Sequence, residues 1–283
     1  MTRNGGDRIQ VHPFMDIRIP RWRAVLRLAT LAAAFGVLGW AATGLARRGD
    51  GDAGGIASPP PGADDPLNPA VFIRGGTFMR GSNDAGDPNP ASPYATFDEQ
   101  PAHPSTVASF WMQQHEVTNE EYRRFDVKHV FPAGEERHPV ANITWRTAMA
   151  YATSLGGRLA TEGEWEFAAR GTASRRFPWG DAKPTCELVH YVACDPRRPI
   201  EVMSLPAGAT PEGIHDLAGN VWEWVMPDWF RPGRTPVNKA SRRLRGGSFL
   251  DDAFFLRASN RNNEFFAGFK FTSIGFRVVW PVE

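Results

Sequence analysis

A chain of 283 residues with 42% hydrophobic and 12% aromatic content can bury a sizeable core. Its net charge of +1 conceals an asymmetry: residues 1–48 carry eight arginines against Asp7 and Asp16, a local +6 that leaves the remainder near −5. A mildly acidic globular region excludes the basic footprint of a nucleic-acid reader.

The basic tail, residues 1–27, precedes an uncharged apolar stretch, Leu28 to Ala46, bracketed by Arg21, Arg23 and Arg27 on one side and Arg47–Arg48 on the other. Its length predicts a transmembrane signal anchor. The heavier upstream cluster puts the N-terminus in the cytoplasm and everything beyond Arg48 outside it. Gly44 and Ala46 also offer a cleavage site, so the same stretch reads as a signal peptide. The expected location is the inner membrane with the globular domain in the periplasm or extracellular; the alternative is a secreted periplasmic protein. Residues 47–70, rich in Gly, Pro, Ala and Asp, read as a flexible linker, and residues 71–283 as the globular domain.

Within that domain, VFIRGGTFMRGS predicts a strand pair or one bulged strand, followed by a long polar loop from Asn83 to Gln100 and a strand through Phe110. Thr118 and Glu121 have capping-box spacing and predict a helix start. A second helix is expected from Trp145 to Leu155, closed by Gly156–Gly157. Thr161 and Glu164 open a third, ended by Gly171. After Arg175 the chain reads as strand, turn and loop. Ten tryptophans and 28 glycines imply a loop-rich core built from aromatics, an α+β fold.

The two cysteines, Cys186 and Cys194, lie eight apart; in an exported protein the pair reads as a local disulfide, and neither CxxC spacing nor a second pair supports a metal site. The histidines (12, 103, 115, 129, 138, 190, 215) show no metal-binding spacing. No GxSxG, P-loop or dinucleotide fingerprint occurs.

In order, the chain carries GGTFMRGS (75–82), EQPAHPSTVASFWM (99–112), EVTNEEY (116–122), PVANITW (139–145), GGRLATEGEWEFAARG (156–171), PWGD (178–181), GIHDLAGNVWEWV (213–225), RGGSF (245–249) and GFRVV (275–279). Together these motifs resemble the formylglycine-generating-enzyme (sulfatase-modifying-factor) family. The resemblance implies a complex C-type-lectin variant with little regular secondary structure. Its sulfatase-activating members oxidise a cysteine with O2 and copper(I) held by two cysteines after the GGS turn. Here GGSFLDDAFFL (246–256) puts Asp251 and Leu256 at those positions. Copper(I) prefers thiolates, and Leu256 offers no lone pair, so copper is not expected and formylglycine generation is disfavoured.

Ser248 matches a family active-site serine, and Asp251 with Asp252 follows it. Ser248 and Asp251 are the catalytic candidates, Asp251 as a base or hard-metal ligand; the alternative makes Asp251 and Asp252 solvated turn residues. The resemblance also implies a structural Ca2+ at DLAGNVWEW, held by the Asp216 side chain, the Gly219 and Val221 carbonyls and the Glu223 carboxylate. Otherwise Asp216 caps a turn and Glu223 pairs with an arginine. Trp222 and Trp224 are assigned to the core.

Three functions follow from the resemblance. The first is an accessory or binding module without the copper site, serving an exported protein, peptide or metalloenzyme such as nitrite reductase. The second is a periplasmic oxidoreductase of altered chemistry, like relatives that mature siderophores. The third is formylglycine generation.

Overall fold

The structure, a computed structural model, describes residues 58–83, 99–227 and 241–282. The stretch Leu28–Ala46 and most of the loop after Asn83 lie outside them. Among the described residues no helix is long and apolar enough to cross a membrane.

In chain order the elements are β1 (Ala70–Ile73), β2 (Gly76–Arg80), β3 (His103–Val107), β4 (Phe110–Gln113), α1 (Asn119–Phe125), α2 (Trp145–Ser154), β5 (Arg158–Leu159) and α3 (Glu162–Arg170). There follow β6 (Trp222–Val225), β7 (Ser241–Arg245), β8 (Asn262–Phe266), β9 (Ile274–Gly275) and β10 (Val278–Pro281). Four strands precede the three helices, which lie between Asn119 and Arg170, and five strands follow them, a mixed helix and sheet content that agrees with the α+β reading.

Both capping boxes form. Thr118 accepts from the Glu121 amide while Glu121 reaches back to the Thr118 amide, and Thr161 and Glu164 do the same. Each box satisfies donors that a helix start otherwise leaves open. The second helix ends at Leu155, with Gly156 at φ 71°.

The strands form a sheet ordered β1-β4-β10-β5, a β2-β3 pair and a sheet ordered β8-β7-β6-β9. β10, near the C-terminus, is central and antiparallel to both β4 and β5, whereas β6 and β9 run parallel. The expected β1-β2 pairing is corrected: the two strands enter different sheets. At Gly75 the chain passes so close to the Val107–Ser109 backbone that a Cβ would sit 2.4 Å from the Val107 carbonyl oxygen. The Gly-Gly step is therefore a crossover between sheets, with no hairpin turn.

The expected domain start at Val71 also moves upstream. Ala63 and Asn68 are buried, and the Asn68 side chain exchanges two hydrogen bonds with the His115 backbone. Residues 58–69 are thus packed chain, so the linker expected over 47–70 does not extend through them.

Alternation along β6 divides the interior. Trp222 and Trp224 join the cluster of Trp145, Tyr151, Phe276 and Trp280. Val225 joins a second cluster with Trp165, Phe110 and Met112. Buried indoles also tether loops: Trp145 Nε1 donates to the Val225 carbonyl, Trp224 Nε1 to Ile143 and Trp280 Nε1 to Leu155. Tryptophan supplies both apolar area and a directional donor, which is how a core with short elements stays specific.

Candidate functional site

The turn after β7 builds the site. Gly246 and Gly247 adopt φ 97° and 76°, a region open to glycine at little cost, and a Cβ on Gly247 would meet Leu256 at 2.9 Å. This double turn delivers Ser248 into the interior. The Ser248 hydroxyl bonds the Asp251 carboxylate at Oδ2 and accepts from the Leu250 amide at 3.2 Å, so its proton is committed to Asp251. Trp222 Nε1 donates to the same Oδ2 at 2.8 Å.

Asp251 is therefore fixed, and the solvated-turn alternative fails for it. Asp252 does fit a turn residue: it is exposed, and its Oδ1 caps the Phe254 amide. Burial pushes the Asp251 carboxyl above its usual range, against the bonds from Ser248 and Trp222 that lower it. No lysine, arginine or histidine pairs with it among the described residues.

Asp251 lies in a cleft of about 200 Å³ walled by Trp222, Leu250, Phe265, Phe269 and Phe271. Phe265 stacks on Phe269 at 4.5 Å. A larger cleft of about 530 Å³ runs past His129, Glu135, His138 and Arg198, but there Arg198 already pairs with Glu135 and His129 with Asn119. The smaller cleft is the one that contains Asp251, the carboxylate oriented by the GGS turn and Trp222.

Leu256, the second position at which the resemblance places a thiolate, is fully buried. It packs with Phe177, Val189 and Ala218 beneath the 186–194 loop, against Leu188 and Tyr191. Cys186 and Cys194 are joined to each other, with a Cα–Cα separation of 5.7 Å. The loop they close donates the Val192 amide to the Asp251 carbonyl at 3.1 Å, so the disulfide braces the floor of the cleft. No free cysteine remains among the described residues.

The calcium expectation meets a different occupant. Both Glu223 oxygens accept from Arg277, at 2.7–3.0 Å, and Oε2 also accepts from Trp165 Nε1 at 2.8 Å. Asp216 sits at φ 58° and accepts the Met203 amide at 2.7 Å, the turn-capping alternative. Gly219, also left-handed at φ 73°, is pressed against the His190 carbonyl. Glu116 takes Asn220 and Val221.

Burial, with Asp216 and Glu223 nearby, raises the Glu116 carboxyl well above its usual value. Burial likewise raises Asp216 to about 6. Arg277 thus supplies the positive charge expected of a cation. With Arg277 on both Glu223 oxygens, the four-donor set does not fit calcium.

Ser248 and Asp251 were candidates through the family resemblance of GGSFLDDAFFL (246–256). The role of Trp222 as pocket wall and donor was missed, because its alternation with Trp224 reads as core, and both are indeed buried. The walls from Phe265 to Phe271 were missed too, although the aromatic-dense run FFAGFKF was the available signal.

Comparisons agree with this architecture. The chain is similar to serine/threonine-protein kinase pkn1 of Chlamydia caviae, 31% identical over 254 residues that cover 75% of this chain and 38% of that one. It is 31% identical to hercynine oxygenase of Mycolicibacterium thermoresistibile over 288 residues, covering 79% of this chain and 61% of the relative. This chain therefore spans about two fifths to three fifths of those relatives. Among solved structures, PvdO from Pseudomonas aeruginosa superposes with a TM-score of 0.63 at 22% identity, over 80% of this chain and all of that one, a likeness of fold alone. The sulfatase-modifying factor enzyme 1-like domain matches residues 57–282, and the chain belongs to that family.

Proposed function

We propose that this chain is a binding module of its family, seating a segment of a partner polypeptide in the Asp251 cleft without copper-thiolate oxidation. One observation carries the reading: of the two positions expected to hold thiolates, one is a carboxylate locked by Trp222 and Ser248, and the other is a leucine sealed in the core. In this proposal Leu28–Ala46 exports or anchors the domain, and the partner is an exported protein or metalloenzyme.

The test is direct. Purified chain incubated with copper(I), O2 and a cysteine peptide should neither consume O2 above background nor form a peptide aldehyde. Aldehyde formation would overturn the proposal.

A second reading, an oxidoreductase of altered chemistry, is favoured by the coverage of hercynine oxygenase and by a part-buried carboxyl that desolvation makes more basic. Here Asp251→Ala should abolish turnover, and retained turnover would remove Asp251 from the mechanism.

A further inference from the structure

We infer that the Asp251 cleft recognises a primary ammonium on an unbranched alkyl stem, namely a lysine side chain presented by a partner polypeptide. The inference rests on the binding-module reading and specifies its ligand.

The first observation is an asymmetric carboxylate. Asp251 Oδ2 accepts from Trp222 Nε1 and from Ser248 Oγ, and the backbone is held on both sides, Asp251 N to Ser248 O and Val192 N to Asp251 O, each at 3.1 Å. Both side-chain donors meet Oδ2, which leaves Oδ1 without a side-chain donor among the described residues. Buried charges are often paired, and three carboxylates here take arginine: Glu99 takes Arg257 in a bidentate fork, Glu166 takes Arg245 and Arg170, and Glu223 takes Arg277, whereas Glu116 and Glu121 are met by neutral donors. Asp251 is likewise held by neutral donors, and unlike Glu116 and Glu121 it lines a cleft. It is a preorganised anion with one acceptor open.

The walls say what kind of cation fits. Trp222, Phe265, Phe269 and Phe271 line the cleft with aromatic side chains, which supply apolar area to the stem of a cation and the electron-rich rings a cation favours. A guanidinium binds best through two parallel N–H donors to both carboxylate oxygens, and Oδ2 is already taken. An ammonium is a compact donor for which one oxygen suffices. The volume, about 200 Å³, is below the roughly 300–1,000 Å³ usual for small-molecule sites, so it suits one side chain.

The rim points to a polypeptide as carrier. Leu250 and Phe271 stand 42% and 49% exposed at the cleft. Phe266, 62% exposed, leans edge-on against Phe269. Exposed apolar groups beside a pocket form a contact surface that a free amine would leave uncovered.

The experiment titrates the full chain with n-butylammonium, n-butanol and n-butylguanidinium, following the indole N–H resonance of Trp222, identified by its loss in Trp222→Phe. The ammonium should saturate the shift at a concentration about ten-fold below either other probe. Asp251→Asn should erase that preference. Phe271→Ser, on the exposed rim, should weaken ammonium binding several-fold at an unchanged melting temperature, which keeps the test decisive if Asp251→Asn fails to fold. Butanol equal to butylammonium, or undiminished ammonium binding by Asp251→Asn, overturns the inference; tighter guanidinium binding overturns the choice of lysine. Failure of the binding-module reading has its own signature, aldehyde on the cysteine peptide.

Discussion

Glu223 and Trp222 are neighbours on β6, yet the strand turns them to opposite faces, and two unlike carboxylate environments result. On one face Glu223 is sealed between Arg277 and Trp165, with both oxygens occupied and its charge matched. On the other, Trp222 reaches Asp251, whose charge is met by neutral donors, the Trp222 indole and the Ser248 hydroxyl and backbone. A matched carboxylate holds two elements together, here β6 and the segment entering β10. An unmatched one, held rigid at the floor of a cleft, keeps its attraction for something from outside.

The contrast breaks most visibly on the matched side. Arg277→Met leaves Glu223 buried without its cation and should cost about 3–5 kcal/mol, read from denaturant midpoints. Asp251→Asn keeps hydrogen-bonding capacity and removes no ion pair, so it should cost less than about 1 kcal/mol. Equal losses would erase the distinction between the two carboxylates.

The brace beneath the cleft comes next. Replacing Cys186 and Cys194 together by serine opens a nine-residue loop, worth about 2–3 kcal/mol by chain entropy. It should also weaken butylammonium binding, because Val192 then holds the Asp251 carbonyl less firmly. Unchanged binding would separate the disulfide from the site.

A smaller effect comes from Glu121, which caps α1 without an arginine. Burial raises its carboxyl to about 7 against the bonds from Thr118. Its folded value exceeds the ordinary one near 4.5, so the folded state binds the proton more tightly. That contribution is fully present below about pH 4.5 and is lost as pH rises through about 7. Glu121→Gln should remove it. The midpoint difference between wild type and variant should therefore change between pH 4.5 and 7.5, and a flat difference would refute the shift. Asp216 contributes with the same sign, and His115, which burial lowers to about 4, with the opposite sign; the difference measurement cancels both.

The smallest expected effect is that of a chelator. With Arg277 on Glu223, EDTA should move the melting temperature by less than about 1 °C. A drop of several degrees would put a cation at Asp216 and Glu223 and make Arg277 its displaced substitute.

Local chemistry was legible in the sequence wherever a short motif carries its own geometry. Thr118 with Glu121 and Thr161 with Glu164 each fix a helix start across three residues, and Cys186 and Cys194 close a loop too short to misplace. Ser248 and Asp251 came to notice through the family resemblance of GGSFLDD, which names positions and leaves their partners unstated.

Long-range choices were not legible. Whether Glu223 takes a metal or an arginine depends on Arg277, 54 residues away, and the motif around Glu223 is compatible with both. Trp222 reads as core because alternating tryptophans bury well; that its indole N–H also anchors Asp251, 29 residues on, depends on the sheet that brings β6 against the GGS turn. VFIRGGTFM reads as two strands, but their separation into different sheets depends on how closely the backbone at Gly75 approaches Val107. The sequence by itself determined the helix caps, the disulfide, the family motifs and the absence of a thiol pair at 251 and 256, since each is a property of residue types at fixed short spacing. Only the tertiary structure decided which buried carboxylates are matched by arginine and which are met by neutral donors, because charge pairing in a core depends on distance in space, which spacing along the chain does not encode.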